Sequence, residues 1–343
     1  TTGRVKGAML SHRNLFANAL QGAAWMKDAE DGNEVIYAVL PMFHAFGMTL
    51  YLTFGVLKRA RIVLFPNVDI DMILDVAKTR PPTVYCAVPP IYERTAKRAQ
   101  ERGISLRSAR FCISGAMALT DEVVDVWESV SGGLLVEGYG LTECSPVALG
   151  NPFWPTRRTG TVGVPFPSTL MKVVDPEDPR REVAPGEVGE LLLHGPQVFS
   201  GYWHNPEDTA ATLLEGGWLR TGDLVSVDAD GFTTVVDRLK ELIITGGFNV
   251  SPSEVEQALR AEDGIADAAV VGLPSTHSGE DVVAAVVAAP GVTLDPEAVR
   301  AAARDRLAAY KVPRRVFVVD ELPRSMLGKV LRKQVRDQLL TDA

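Results

Sequence analysis

Hydrophobic stretches of two kinds alternate between Glu34 and Glu137. Short β-rich runs, EVIYAVL, RIVLF, TVYCAV, ARFCISG and LLVEGYG, are separated by segments of helical pattern, among them DIDMILDVAKTR and LTDEVVDVWESV. Strand and helix in turn predict a parallel sheet covered by helices. Ligands of such sheets lie where loops leave the carboxyl ends of strands, and His44, Ser114 and Tyr139 fall at such ends.

After about Gly160 the pattern changes to short strands broken by Gly and Pro: LMKVVD, GELLLHG, WLRTGDLVSVD and GFTTVVDR. With no long helical pattern between them, they predict a small β-barrel or sandwich. From about Leu239 it changes again: strand LIITGG, helix SPSEVEQALRA, strands around AAVVGL and DVVAAVVAA, a helix from Asp295, strand VFVVD and a last helix. That is a separate α+β domain. Ser251 and Glu254 predict a capping box with Pro252 at the first helical position, and Asp295-Pro296 repeats the cap-then-proline logic. A further helix is expected near Ser11. The fold expectation is therefore α/β and multidomain: a parallel sheet with flanking helices over 1–158, a β-barrel subdomain over 159–238, and a C-terminal α+β domain over 239–343.

Composition agrees with this division and narrows the setting. A chain of 343 residues exceeds one ordinary domain, and 46% apolar with 23% charged residues excludes disordered, collagen-like and disulfide-scaffold classes. Cys86, Cys112 and Cys144 form neither a disulfide framework nor a zinc pattern, which fits a reducing cytoplasm. The longest apolar run, Val282 to Pro290, is well short of the ~20 residues of a spanning helix, so membrane contact is expected to be peripheral if it occurs. Net charge is −8, yet from Arg306 onward nine basic residues face four acidic ones. Such a tail could meet a polyanion, although on charge alone a solvated helix face is the favoured reading. The chain opens on Thr inside a motif, which reads as an N-terminally cut fragment.

Six stretches carry candidate chemistry. Thr1-Thr2-Gly3-Arg4-Val5-Lys6-Gly7 sets hydroxyls, glycines and an ammonium before a helix, a pattern that can wrap phosphates and that flexible termini also show. Glu137-Gly138-Tyr139-Gly140-Leu141-Thr142-Glu143, taken alone, is a glycine-rich turn with a solvent-exposed Glu. Upstream lies Ile113-Ser114-Gly115-Ala116-Met117, a run with small residues at its centre. Gly217 to Asp223, GWLRTGD, taken alone is an ordinary turn. Asp237 to Val250, DRLKELIITGGFNV, is a charged connector between domains, where a hinge is expected. Finally LPRSMLGK ends on Lys329, which would be unremarkable alone in a basic tail.

Taken in order, these motifs resemble those of the adenylate-forming superfamily: acyl-CoA synthetases, peptide-synthetase adenylation domains and beetle luciferases. Val5 replaces the usual proline, the preceding Ser/Thr-Gly part of the phosphate loop is absent, and Ala116-Met117 is a variant ending. The resemblance implies that Thr1, Thr2, Gly3 and Lys6 hold ATP phosphates, and that Ser114, Gly115 and Ala116 lie on the adenine side. It further implies that Glu137, Gly138, Tyr139, Gly140 and Thr142 line adenine and the α-phosphate, that Glu143 holds Mg²⁺, and that Asp223 and Arg238 contact ribose. Lys240 would be the hinge of a mobile C-terminal domain, and Gly246 and Gly247 part of the CoA pantetheine tunnel. Lys329 would be the adenylation lysine, whose ammonium stabilises the charge built when a carboxylate attacks the α-phosphorus.

The segment PMFHAFG resembles the acyl-pocket entrance of acyl-CoA ligases, with Phe43, His44 and Gly47 lining it and His44 acting as an aromatic gate near the carboxylate. A core histidine bonded to backbone is the other reading of His44. The run from Phe46 to Leu57 suits an alkyl tunnel wall or an ordinary buried helix. Amino-acid-activating domains usually carry an Asp nearby, and none occurs between Glu34 and Asp69. EGYGLTECSPV, PQVFSGYW, DRLKELIITGGFNVSPSEVE and YKVPRRV resemble bacterial long-chain fatty acid CoA ligases. The expected reaction joins a fatty acid, ATP and CoA with Mg²⁺, through an acyl-adenylate, with Thr142, Glu143, His44 and Lys329 catalytic. Alternatives are a fatty acyl-AMP ligase or adenylation module that loads a carrier protein, and an inactive nucleotide-binding relative. No nucleic acid is expected. A cytoplasmic location fits, and the sequence leaves open peripheral contact with the inner face of the membrane and a homodimer of the full-length protein.

Overall fold

The computed structural model describes residues 5–326 and 328–341. Helix α1 (His12–Trp25) opens it under a reciprocal capping box: Ser11 Oγ accepts from Asn14 N while Asn14 Oδ1 accepts from Ser11 N. A seven-stranded sheet follows, built from β1 (Val35–Ala38), β2 (Arg61–Leu64), β3 (Val84–Ala87), β4 (Phe111–Ser114), β5 (Leu135–Gly140), β6 (Val147–Gly150) and β7 (Val164–Pro165) in the order β2-β1-β3-β4-β5-β6-β7. The first five strands pair in parallel, and β6 and β7 continue the sheet antiparallel. β3 is buried along its whole length, as a strand covered on both faces must be.

Between β1 and β2 the chain runs through α2 (Ala45–Gly47), a π-helical stretch over Met48–Phe54 and α3 (Gly55–Leu57). The crossovers α4 (Ile70–Ala77), α5 (Pro89–Arg102) and α6 (Asp121–Glu128) cover the sheet. Tyr37, Ile73, Leu74, Tyr85, Tyr92 and Trp127 form the centre of the core between them. Tyr92 meets Trp127 edge-on at 4.6 Å, and its hydroxyl bonds the Ile113 carbonyl at 3.0 Å, which fixes the end of β4.

The Gly/Pro-broken stretch forms a five-stranded sheet of β8 (Leu170–Val174), β9 (Gly189–His194), β10 (Leu213–Leu214), β11 (Trp218–Val227) and β12 (Thr233–Arg238), ordered β10-β11-β9-β8 with β12 beside β11. A short helix, α7 (Pro206–Thr212), interrupts it; its Asn205 cap and following proline are a start signal that the sequence reading passed over.

The last part holds β13 (Ile243–Thr245), β14 (Phe248–Val250), α8 (Pro252–Arg260), β15 (Ile265–Ser275), β16 (Gly279–Ala288), α9 (Pro296–Ala303), β17 (Arg315–Val318) and α10 (Arg332–Thr341). Its sheet runs β14-β13-β16-β15 with β17 parallel to β16, and α8 and α9 pack on one face while α10 packs on the other. Ser251 caps α8 as expected, but the reciprocal half of the box is replaced: the Glu254 carboxylate is held by Lys311 Nζ at 2.6 Å and 2.7 Å. An ammonium wins that carboxylate because a charge-assisted bond outweighs a neutral amide donor.

By contact density the chain divides into two compact units. One takes the described residues up to Thr221 together with Ser226–Val235, and the other takes Gly222–Val225 with the described residues from Val236 onward. No described helix is long and apolar enough to cross a membrane.

Candidate active site

In the first unit the candidate residues gather at the carboxyl ends of β4 and β5. Ser114 ends β4 in register with Glu137 of β5, and its Oγ is fully buried with no hydrogen-bond partner among the described residues. A Cβ on Gly115 would lie 3.3 Å from the Phe46 ring and 3.5 Å from the Gly138 carbonyl, so only glycine leaves this gap open. Ala116 follows exposed, in the left-handed region at φ 67, which turns the loop outward.

Glu137 turns inward. Its carboxylate accepts from Leu119 N at 3.2 Å and Gly160 N at 2.8 Å. Burial raises its pKa to about 7 against the pull of those two N–H groups, and Asp121 adds to the rise. Its side chain thus ties two loops together beside the site. Gly138, Tyr139 and Gly140 complete β5 against β6, and a Cβ on Gly140 would strike the Pro146 carbonyl at 2.0 Å. Thr142, Glu143 and Cys144 form a 3₁₀ turn with Thr142 exposed and Glu143 half-buried. Cys144 is buried and its thiol is pushed up by burial, which makes it packing.

Glu143 is not alone. Tyr202 Oη donates to its Oε1 at 2.6 Å, and Lys6 Nζ lies 4.8 Å above the Tyr202 ring and 3.3 Å from Asp208. Lys6 and Glu143, far apart in sequence, therefore meet around one tyrosine. Sequence reasoning quoted Tyr202 only within PQVFSGYW and gave it no role. Thr1, Thr2 and Gly3 lie outside the described residues.

His44 caps α2 with Nδ1 accepting from Phe46 N at 3.2 Å, and burial holds its pKa below the ordinary imidazole value. It is half-exposed rather than core, beside an exposed Phe43. The helix after it presents two faces: Thr49, Leu50, Tyr51 and Phe54 are buried, while Leu52 and Val56 are exposed. π-helical turns recur at functional sites.

The second unit brings three further candidates together. Asp223 is buried and pairs with Arg238, Nε to Oδ1 at 3.0 Å. Lys329 lies within electrostatic reach of both. Burial lowers its pKa, with Arg238 and Arg332 adding to the fall and Glu241 and Asp223 opposing it. Its loop is pinned by Ser325 Oγ accepting from Lys329 N at 3.2 Å and by Arg324 Nη1 donating to the Gly328 carbonyl at 2.5 Å. Lys240 is exposed in the one-turn helix Leu239–Glu241. Gly246 and Gly247, at φ 57 and 84, turn β13 into β14. Arg332, also unforeseen in its basic tail, bonds Glu256 and Glu241 from the start of α10.

No group of three or more His, Cys, Asp or Glu converges among the described residues, so a divalent cation here would rest on Glu143 with phosphate and water oxygens. With Oε1 of Glu143 taken by Tyr202, its Oε2 fits Mg²⁺, which takes one or two carboxylates and draws its other ligands from phosphates and water.

The first unit is a helix-covered sheet with glycine-bounded loops at its carboxyl edge, and the second carries a half-buried lysine beside an Asp–Arg pair. The chain belongs to the AMP-binding enzyme family: residues 1–203 match that family and residues 254–329 match the AMP-binding enzyme C-terminal domain. It is 40% identical over 338 residues to a long-chain-fatty-acid–CoA ligase of Bacillus subtilis (strain 168), covering 98% of this chain and 60% of the relative. A feruloyl-CoA synthase of Amycolatopsis sp is 36% identical over 337 residues, 98% of this chain and 67% of the relative. Among solved structures, ATP-bound MatB from Rhodopseudomonas palustris matches with a TM-score of 0.88 and 34% identity, covering 98% of this chain and 66% of that one. The chain thus spans about three fifths of the length of the long-chain ligase it resembles.

Proposed function

We propose that the full-length protein is a fatty acid CoA ligase with long-chain acids as its substrates. A carboxylate oxygen attacks the α-phosphorus of MgATP and pyrophosphate leaves, giving acyl-AMP. The CoA thiol, losing its proton, then attacks the acyl carbon, and AMP leaves as the C–O bond breaks. The observation that carries this reading is Lys329 held half-buried beside the Asp223–Arg238 pair: Asp223 can accept from the ribose hydroxyls while the ammonium meets the developing phosphoryl charge. Mg²⁺ on Glu143 would neutralise polyphosphate charge. His44, Phe43 and Gly47 open the acyl pocket, the exposed face of the helix through Leu52 and Val56 walls the alkyl chain, and Gly246 and Gly247 guide pantetheine. The domains follow the division 1–158, 159–238 and 239–343, with the last turning about Lys240 between the two half-reactions. The work is assigned to the cytoplasm, with contact at the membrane peripheral.

The long-chain assignment draws on the similarity to the Bacillus subtilis ligase and on the stretch between Glu34 and Asp69, which has no carboxylate to pair a substrate ammonium. The test is acid-dependent ATP–pyrophosphate exchange followed by CoA transfer across fatty, aromatic and amino acids. Long-chain acids are expected to give the highest kcat/KM. Exchange confined to aromatic or amino acids, or acyl delivery to a carrier protein with none to CoA, would falsify it.

A further inference from the structure

Tyr202 holds together two segments that the sequence keeps far apart. Its backbone bridges Ala8 in antiparallel fashion, flanked by Met9 N to Gly201 O at 2.9 Å and Trp203 N to Gly7 O at 2.7 Å, so the loop carrying Lys6 is zipped to 200–203. Its own N–H is taken by Thr209 Oγ1 at 2.9 Å. On the far side Phe199 N donates to the Glu143 carbonyl at 2.8 Å, and the Phe199 ring meets that of Tyr202 edge-on at 4.9 Å. The tyrosine is 8% exposed and fixed from every direction.

What it does with that fixity differs at its two ends. The hydroxyl forms a charge-assisted bond to Glu143 Oε1, which sets the carboxylate rotor and directs Oε2 away. The ring offers Lys6 the negative face of its π-system. Lys6 also pairs with Asp208, but both side chains are more than a third exposed, at 36% and 42%, and an ion pair of that kind contributes little and exchanges readily. An arriving phosphate can replace Asp208 while the aromatic contact persists.

We propose that Tyr202 is a positioning residue for the metal–polyphosphate complex: one side chain sets the spacing between the Lys6 ammonium and the Glu143 carboxylate, so that a nucleoside polyphosphate and its divalent cation are received by opposite charges at a fixed separation. This rests on the MgATP-binding part of the function proposed above and on no particular acid.

Titration of the full-length protein with ATP, with and without Mg²⁺, followed by calorimetry, tests it. Tyr202→Phe keeps the ring beneath Lys6 and removes only the hydroxyl. It should reduce the Mg²⁺-dependent gain in ATP affinity about tenfold, as loss of a group orienting a metal ligand does, and leave Mg²⁺-free binding unchanged. Tyr202→Leu should weaken both. Adding Tyr202→Phe to Glu143→Gln should cost nothing further, because the two act on one carboxylate. A wild-type Mg²⁺ gain in Tyr202→Phe, or equal losses with and without Mg²⁺, overturns the proposal. Failure of the ligase reading is distinct: MgATP then binds with the predicted mutant pattern while no acid supports pyrophosphate exchange.

Discussion

Gly47 decides where His44 sits. Its φ of −64 is ordinary, so no left-handed turn demands glycine here. What demands it is space: a Cβ would lie 2.4 Å from the Pro41 carbonyl oxygen and 3.2 Å from the Tyr51 ring. Tyr51 in turn accepts from Leu40 N through its hydroxyl at 3.0 Å, so strand end, loop and helix close on one point. Gly47→Ala should destabilise the protein by about 1–3 kcal/mol, the range for forcing one methyl group into a packed contact. The urea midpoint should fall at constant m, and the KM for the acid should rise more than that for ATP. An unmoved midpoint would show that the loop yields freely. The resemblance in PMFHAFG marked Gly47, but the contact behind it joins Pro41 to the first turn of a helix and has no signature in the letters.

At the level of elements, β1, β3 and β4 were legible because strands buried along most of their length write themselves as apolar runs, and the edge strand β2, more exposed, still showed as RIVLF. β6 and β7 were not, since VALG and VP are too short to show a period, and nothing in MTLYLTF marks π-helical turns. Glu137 shows the same limit within a motif. Its place beside the site was legible, while the burial of its carboxylate against the Leu119 and Gly160 amides was not. That burial has a consequence for pH. A folded-state pKa of about 7, raised from 4.5, means that the native state binds the proton more tightly than the unfolded chain. Stability contributed by the protonated form is complete below pH 4.5 and declines as pH rises towards 7, by about 3 kcal/mol at most. Glu137→Gln, an amide that mimics the neutral acid, should flatten this part of the stability profile. Urea midpoints between pH 4.5 and 7.5 in both proteins measure it, and parallel profiles would show that Glu137 titrates as an ordinary carboxylate.

Across the whole molecule, the candidate residues lie along nearly the full length of the sequence, and the fold sorts them into two groups. Lys6, Ser114, Tyr139 and Glu143 belong to the first unit, and Asp223, Arg238 and Lys329 to the second. Motif order singled out the candidates; it could not assign them to units, because Asp223 lies within a strand that begins in the first unit. A two-step ligase uses the groups unequally. Lys329→Ala should suppress acyl-adenylate formation by roughly two to three orders of magnitude, the scale of removing one preorganised charge from a transition state. Transfer from preformed acyl-adenylate to CoA builds no charge on a polyphosphate and should stay near the wild-type rate. Lys240→Pro should do the reverse, since fixing φ at the exposed turn Leu239–Glu241 hinders rotation while adenylation stays reachable. Both half-reactions are to be measured separately in both variants of the full-length protein. Equal losses in both steps for both variants would mean that Lys240 is not a pivot and that Lys329 supports the fold of its loop rather than the chemistry.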